Sequence, residues 1–145
     1  MNLKIMALVS GISFFIILLM YAQLANKGIG NELEVKVLGY DSGCYSNQNL
    51  TSIAKWEGEN ILMNTTVQTN VPCYELSSIN ARQDGNLITV NVFIKSKGGI
   101  CVECIGYQKI SYKILSPNAE NGLNIAVNVN IKNKTITQNT FLPLE

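Results

Sequence analysis

The chain predicts an all-β domain, a disulfide-stapled antiparallel β-sandwich, held behind a single N-terminal transmembrane helix. Three observations predict it. Residues 5–25 are 21 consecutive positions without a charge. After Ala25 the apolar residues recur with period two rather than 3.6, the spacing of half-buried strands. All four cysteines of the 145 residues lie in that second part.

The apolar run Ile5–Ala25 reads IMALVSGISFFIILLMYAQLA. As a helix rising 1.5 Å per residue it is about 31 Å long, close to the hydrocarbon thickness of a bilayer. A cleaved secretory signal would have a shorter apolar stretch and a small-x-small cleavage site. Here the end of the run offers Gln23 before Ala25, or Ala22 before Leu24, and neither pair is small-x-small. The reading is an uncleaved signal anchor, with the membrane as a partner through residues 5–25. Lys4 and the amino terminus lie on one side, while Lys27 is soon answered by Glu32 and Glu34. The positive-inside rule then makes residues 1–4 a cytoplasmic tip of a single-pass cell-membrane protein. Residues 26–31 form a short linker, and residues 32–145 form the extracytoplasmic domain.

Within that domain Leu33, Val35 and Val37 alternate with Glu32, Glu34 and Lys36, and Ile88, Val90, Val92 and Ile94 alternate with Leu87, Thr89, Asn91 and Phe93. The same pattern runs through Ile110, Tyr112 and Ile114, and through Ile125, Val127, Val129 and Ile131. Turn signals separate these runs at Glu57-Gly58-Glu59-Asn60, Gln83-Asp84-Gly85-Asn86, Lys97-Gly98-Gly99 and Asn121-Gly122. Asp84-Gly85 predicts a hairpin between Cys73–Arg82 and Leu87–Lys95. Seven or eight short strands of this kind make a sandwich or a flattened barrel.

From Asn26 onward nine Lys and one Arg face ten Asp plus Glu, so the domain is formally neutral. That argues against nucleic acid, which needs a basic face, and against electrostatic docking on acidic lipid. Three glycosylation triplets occur, at Asn49, Asn64 and Asn133, and each is expected on the surface if modified.

Cys44, Cys73, Cys101 and Cys104 in a small exported domain read as two disulfides. If Ile100–Ile105 is a strand, Cys101 and Cys104 point to opposite faces with α-carbons about 10 Å apart, beyond a disulfide's reach of about 7 Å. Each then pairs elsewhere, one with Cys73 and the other with Cys44. A local turn at Val102-Glu103 would instead give Cys101–Cys104 and Cys44–Cys73. A zinc site made of four thiolates usually brings two Cys-x-x-Cys knuckles; here there is one, and no histidine, so no metal is expected. A reactive Cys-x-x-Cys wants its first sulfur at a helix N-terminus, whereas these flanks are glycine-rich and strand-like, and Glu103 would raise the thiol pKa.

No catalytic residue is assigned. Without histidine the usual general base is absent. The carboxylate pairs Glu57 with Glu59 and Glu75 with Glu103 read as solvated surface, and no cofactor motif is present: Gly28-Ile29-Gly30 follows an apolar helix rather than a strand. Trp56 and the tyrosines Tyr40, Tyr45, Tyr74, Tyr107 and Tyr112 are assigned to sheet packing in preference to a ligand platform.

The segments Pro72-Cys73-Tyr74-Glu75-Leu76, Gly85–Val90 and Cys101-Val102-Glu103-Cys104-Ile105-Gly106-Tyr107 resemble a set of small secreted or membrane-anchored prokaryotic proteins, many archaeal, without an assigned function. The resemblance spans about residues 69–107. It implies that Cys73 pairs with the Cys101/Cys104 segment, and it carries over no catalytic residue. The function expected is binding or structural work at the cell surface, on an envelope component, a partner protein or a protease. The alternative is a membrane-tethered thiol–disulfide oxidoreductase using Cys101 and Cys104.

Overall fold

The computed structural model describes residues 30–44, 51–119 and 122–144. The chain divides into two units, Met1–Gly30 and Asn31–Glu145. The second is the folded domain, and its first strand begins one residue earlier than residue 32. The expected transmembrane helix, Tyr45 and the Asn49 triplet lie outside the described residues. Among the described residues no helix is long and apolar enough to cross a membrane.

Nine strands are present among the described residues: β1 (Asn31–Leu33), β2 (Val35–Cys44), β3 (Ser52–Glu57), β4 (Asn60–Thr69), β5 (Tyr74–Asp84), β6 (Leu87–Ser96), β7 (Gly106–Ile114), β8 (Leu123–Ile131) and β9 (Lys134–Leu142). They form a five-stranded sheet ordered β1-β5-β6-β8-β9 and a four-stranded sheet ordered β2-β7-β4-β3. Period two puts Ile88, Val90, Val92 and Ile94 on β6, and Leu123, Ile125, Val127 and Val129 on β8, into the space between the sheets. Ile61, Met63 and Val67 from β4, with Ile110, Tyr112 and Ile114 from β7, close it from the other side. Burying one such aliphatic side chain stabilises by about 1.5–3 kcal/mol, which makes this layer the main driving force for folding.

Three expectations need correction. The alternation Leu33, Val35, Val37 is not one strand. The chain leaves the five-stranded sheet after Leu33, and at Val35 it joins the other, where Val35 pairs with Ile114. Val37 is exposed because the register shifts between Val37 and Gly39, and Tyr40 takes the inward place. Secondly, the sandwich is not wholly antiparallel: β6 and β8 run parallel, Leu87 beside Asn124 through Ile94 beside Ile131. Parallel neighbours need a crossover, and here β7, in the opposite sheet, supplies it. Thirdly, Ile100–Ile105 is a loop, not a strand. The hairpin at Asp84-Gly85 forms, with Asp84 opposite Leu87 and the turn at Gly85-Asn86.

Polar chains seal both flanks of the core. On one side Ser52 donates to Gln138 Oε1 at 2.6 Å, Ser52 and Thr65 share a hydrogen bond at 3.1 Å, and Thr65 meets the buried Tyr112 hydroxyl at 3.2 Å. On the other, the Tyr40 hydroxyl has one proton and two acceptors in reach, Tyr74 O at 2.7 Å and Gln108 Oε1. The fully buried Gln108 then donates to Thr69 Oγ1 at 3.2 Å and Pro72 O at 3.3 Å. Unmade, such buried groups would cost about 1–3 kcal/mol each.

Gly106 opens β7 directly under the β4–β5 connection. A Cβ added there would lie 2.4 Å from the carbonyl carbon of Val71 and 2.5 Å from Pro72 N, both backbone atoms that no rotamer can move aside. Gly106→Ala is therefore expected to lower stability by about 1–3 kcal/mol or more, read as a drop in the urea unfolding midpoint.

Burial raises the Tyr112 pKa to about 12, against the opposing Thr65 hydrogen bond, and raises Tyr40 to about 12 with help from the Glu75 and Asp41 carboxylates. Both phenols stay neutral in the fold where an unfolded chain ionises them, near pH 10. Their contribution to stability is complete below pH 10 and is lost as pH rises through about 12. Alkaline titration is expected to show loss of the β-sheet circular dichroism coincident with late tyrosinate absorbance, and Tyr112→Phe to shift that loss to higher pH.

Candidate functional site

The four cysteines singled out in the sequence gather at one end of the sandwich. There β4 hands over to β5 and β6 hands over to β7, so the chain twice changes sheet at the same place. Cys73, just before β5, bonds to Cys101 in the β6–β7 connection, with α-carbons 5.8 Å apart. Cys44, the last residue of β2, bonds to Cys104 with α-carbons 5.7 Å apart. No cysteine is free. The distant pairing expected from strand geometry is thus found on a segment that is a loop. What keeps Cys101 and Cys104 apart is the partner waiting for each. The alternative role as a thiol–disulfide oxidoreductase would use Cys101 and Cys104 as a pair; each is bonded to a distant cysteine.

The residues that carry the sequence resemblance form one interlocked unit. Cys73 and Cys101 join the two connections, and Lys97 N–H donates to Cys73 O at 3.1 Å beside them. Gly106 admits the Val71-Pro72 backbone, and Tyr74 supplies the carbonyl that Tyr40 meets. Tyr107 lies over Gly43 on the outer face, where its hydroxyl donates to Asp41 Oδ2 at 2.8 Å. That hydrogen bond holds the Tyr107 pKa above the ordinary phenol value. The Pro-Cys-Tyr and Cys-x-x-Cys-x-Gly-Tyr segments are therefore a structural lock, with both disulfides and the Tyr107 hydroxyl engaged within the fold.

The braced loop offers something else outward. Ile100 is fully exposed, Val102 is 66 % exposed and Ile105 is 54 % exposed, while Cys101 and Cys104 anchor the backbone between them. The apolar tip was not legible in the residue spacing, where Ile100–Ile105 reads either as a strand or as a local turn between the cysteines. The available signal was Gly98-Gly99, which frees the chain from β6 just ahead of it; both glycines have positive φ. The tip lies at the end opposite Asn31, which pairs with Gln83 beside the β5–β6 turn.

At that opposite end is a cleft of about 410 Å³ lined by Trp56, Glu59, Ser116, Pro117, Ala119 and Leu144. Trp56 packs on the core as expected, donates its indole N–H to Pro143 O at 2.7 Å, and also forms a wall of this cleft. Glu59 is the one carboxylate among the described residues lining it. Glu57 instead bonds to Lys113 at 2.7 Å, which holds its carboxyl below the usual range, and Glu75 pairs with Lys95 at 3.2 Å. Among the described residues no group of three or more His, Cys, Asp or Glu could hold a metal ion.

Of the glycosylation triplets, Asn133 is exposed in the turn between β8 and β9. Asn64 is not on the open surface as expected. It is half-buried in mid-strand between β3 and β7, and its Oδ1 accepts from Ser111 at 2.6 Å, while Thr66 of the same triplet is buried.

The Cys44–Cys104 bond closes a span of 60 residues and should stabilise by about 4 kcal/mol in the chain-entropy model. Replacing both with Ser is expected to lower the unfolding free energy by about 2–4 kcal/mol with the Cys73–Cys101 bond intact, measured by urea denaturation under non-reducing conditions.

Among curated proteins and solved structures nothing matches this chain significantly. A family model described as the ORF11 beta-sandwich domain matches residues 64–141, from the middle of β4 almost to the end of β9. It includes Cys73, Cys101 and Cys104, and it stops short of Cys44. With more than half its length in that match, and with the two-sheet architecture described above, the chain belongs to the ORF11 beta-sandwich family.

Proposed function

We propose that this protein is a membrane-anchored, extracytoplasmic binding domain rather than an enzyme. Residues 5–25 hold it in the cell membrane as a single span with residues 1–4 in the cytoplasm, and the sandwich stands outside. The observation that carries the reading is the pair of bonds Cys44–Cys104 and Cys73–Cys101. Both join segments far apart in sequence, and bonds of this structural kind persist in oxidising compartments. Kinship with the small anchored prokaryotic proteins that share the Pro-Cys-Tyr and Cys-x-x-Cys-x-Gly-Tyr pattern belongs to the same proposal.

The partner surface is the braced tip. Ile100, Val102 and Ile105 stand in water at the end away from the chain's point of attachment, and two covalent bonds limit the entropy lost on docking. A small rigid apolar anchor suits a pocket on a protein partner, which the notion of an envelope component or a blocked protease shares. Asn133 is the triplet open to glycosylation, and Asn64 is closed to it in the folded state.

Membranes from cells producing the full chain are expected to retain it after carbonate extraction, with no thiol reactive to alkylation before reduction. A photo-crosslinking side chain placed at Ile100 is expected to trap a discrete protein adduct on intact cells, lost when Val102→Asp is added. Soluble cytosolic protein with four free thiols would refute the location, and absence of any adduct would refute the tip.

A further inference from the structure

The two outward faces of the sandwich differ in kind. The four-stranded sheet presents Lys36, Lys55, Lys109 and Lys113 with Asp41 and Glu57, an ordinary solvated charged surface. The five-stranded sheet keeps its outward charges, Glu32, Glu75, Arg82, Asp84 and Lys95, on β1, β5 and the end of β6, and has none over the rest. Its outward positions from Leu87 to Phe93 on β6, Asn124 to Asn130 on β8, and Thr135 to Phe141 on β9 are amides, hydroxyls and a few apolar groups. Arg82 and Asp84 on β5 border this area, and the Lys95–Glu75 ion pair closes one end. Solubility alone gives no reason to leave this area of three adjacent strands without a charge while both the neighbouring edge and the opposite face keep theirs.

The amides on this face are set in register across four strands. Asn91 Nδ2 donates to Asn80 Oδ1 at 3.1 Å, Asn128 Nδ2 donates to Asn91 Oδ1 at 3.2 Å, and Thr137 donates to Asn128 Oδ1 at 2.8 Å. One row further, Thr135 donates to Asn130 Oδ1 at 2.8 Å. Each amide in the chain uses one of its two protons and one of its two lone-pair directions. Asn91 and Asn128 therefore keep one donor and one acceptor apiece for a ligand, already oriented by their neighbours. Apolar groups lie at the ends of the face: Phe93 at one, and at the other Leu87 and Phe141, the walls of a groove of about 520 Å³ floored by Asn124, Ala126 and Asn139. The Phe141 ring lies against Gly122, where an added Cβ would be 3.0 Å from it, and is 61 % exposed. Four rows two residues apart span about 20 Å.

We infer that this face binds a neutral glycan. A sugar chain offers hydroxyls for the spare amide donors and acceptors, and C–H faces for the aromatic rings at the ends. An ionic ligand would shed its hydration here without meeting a counter-charge. A protein partner would want the reverse layout, with the apolar groups at the centre and the amides at the rim. The inference goes beyond the partner site at Ile100–Ile105 and stands on different residues.

The full-length protein in lipid nanodiscs, titrated by interferometry with hexasaccharides of glucose (β-1,4- and β-1,3-linked) and mannose, tests it. Saturable binding of at least one is expected, nearly indifferent to added NaCl, and weakened at least tenfold by Asn128→Asp and by Phe141→Ala. Phe141 is exposed, so that variant keeps its fold, which circular dichroism verifies. Lys113→Gln on the opposite face and Val102→Asp at the tip should leave it unchanged. Absence of binding to every neutral hexasaccharide, tighter binding of a heparin hexasaccharide, or undiminished affinity in the two face variants would overturn the glycan assignment. Crosslinking at Ile100 surviving Asn128→Asp would meanwhile leave the partner reading intact, so the two fail separately.

Discussion

The tie between the two chain crossings at one end of the sandwich governs the rest of this structure. A chain that passes from sheet to sheet must leave its ladder, and the freed backbone groups need partners or water. Here the β4–β5 and β6–β7 crossings lie side by side, joined by Cys73–Cys101 and packed so closely that only the hydrogen of Gly106 fits beneath Val71 and Pro72. At the far end the β7–β8 crossing is held without covalent help. The buried Gln83 side chain donates to Gly85 O and Asn118 O, and accepts from Asn118 N–H at 2.9 Å. The β1–β2 crossing is tied there too, by Leu115 N–H to Glu34 O at 3.0 Å. One end is locked by sulfur and the other by amides.

Between those ends the flanks follow the same logic. A two-layer sandwich has open sides unless its edge strands are joined, and an open side admits water to the core. The Ser52–Thr65–Tyr112 chain with Gln138 closes the β3–β9 side, and the Tyr40–Gln108 set closes the β2–β5 side. Among the described residues no buried side-chain nitrogen or oxygen lacks a hydrogen-bond partner. These polar residues add less net stability than the aliphatic layer, and they fix how one sheet lies on the other.

Much of the core was legible from spacing alone. Ile88 to Ile94, Ile110 to Ile114 and Ile125 to Val129 face inward as their alternation requires, because a strand buried on one side has no other way to hide them. The failures share a cause. Leu33 and Val35 alternate as one strand would, yet they belong to different sheets, and nothing local marks a crossing in extended chain. The parallel pairing of β6 with β8 is equally invisible, since it depends on where β7 goes. Of the two readings of residues 101–104 the strand fails likewise, because the Gly98-Gly99 pair ahead of them already releases the chain into a loop. The amide rows were hidden for another reason: Asn91, Asn128 and Thr137 are 37 and nine positions apart in sequence, and only the register makes them neighbours.

The short strand at the amino end has a mechanical meaning. A pull applied to the chain at Asn31 would meet a strand held by three paired residues along β5. Beyond the link at Glu34 the pull runs along β2, whose nine pairs with β7 are loaded in shear and resist together. Should both ladders yield, extension halts at Cys44, where the sulfur bridge passes the force into the β6–β7 connection and on toward the centre of the fold. A fold built this way can release the 14 residues 31–44 under load while the remaining strands stay closed.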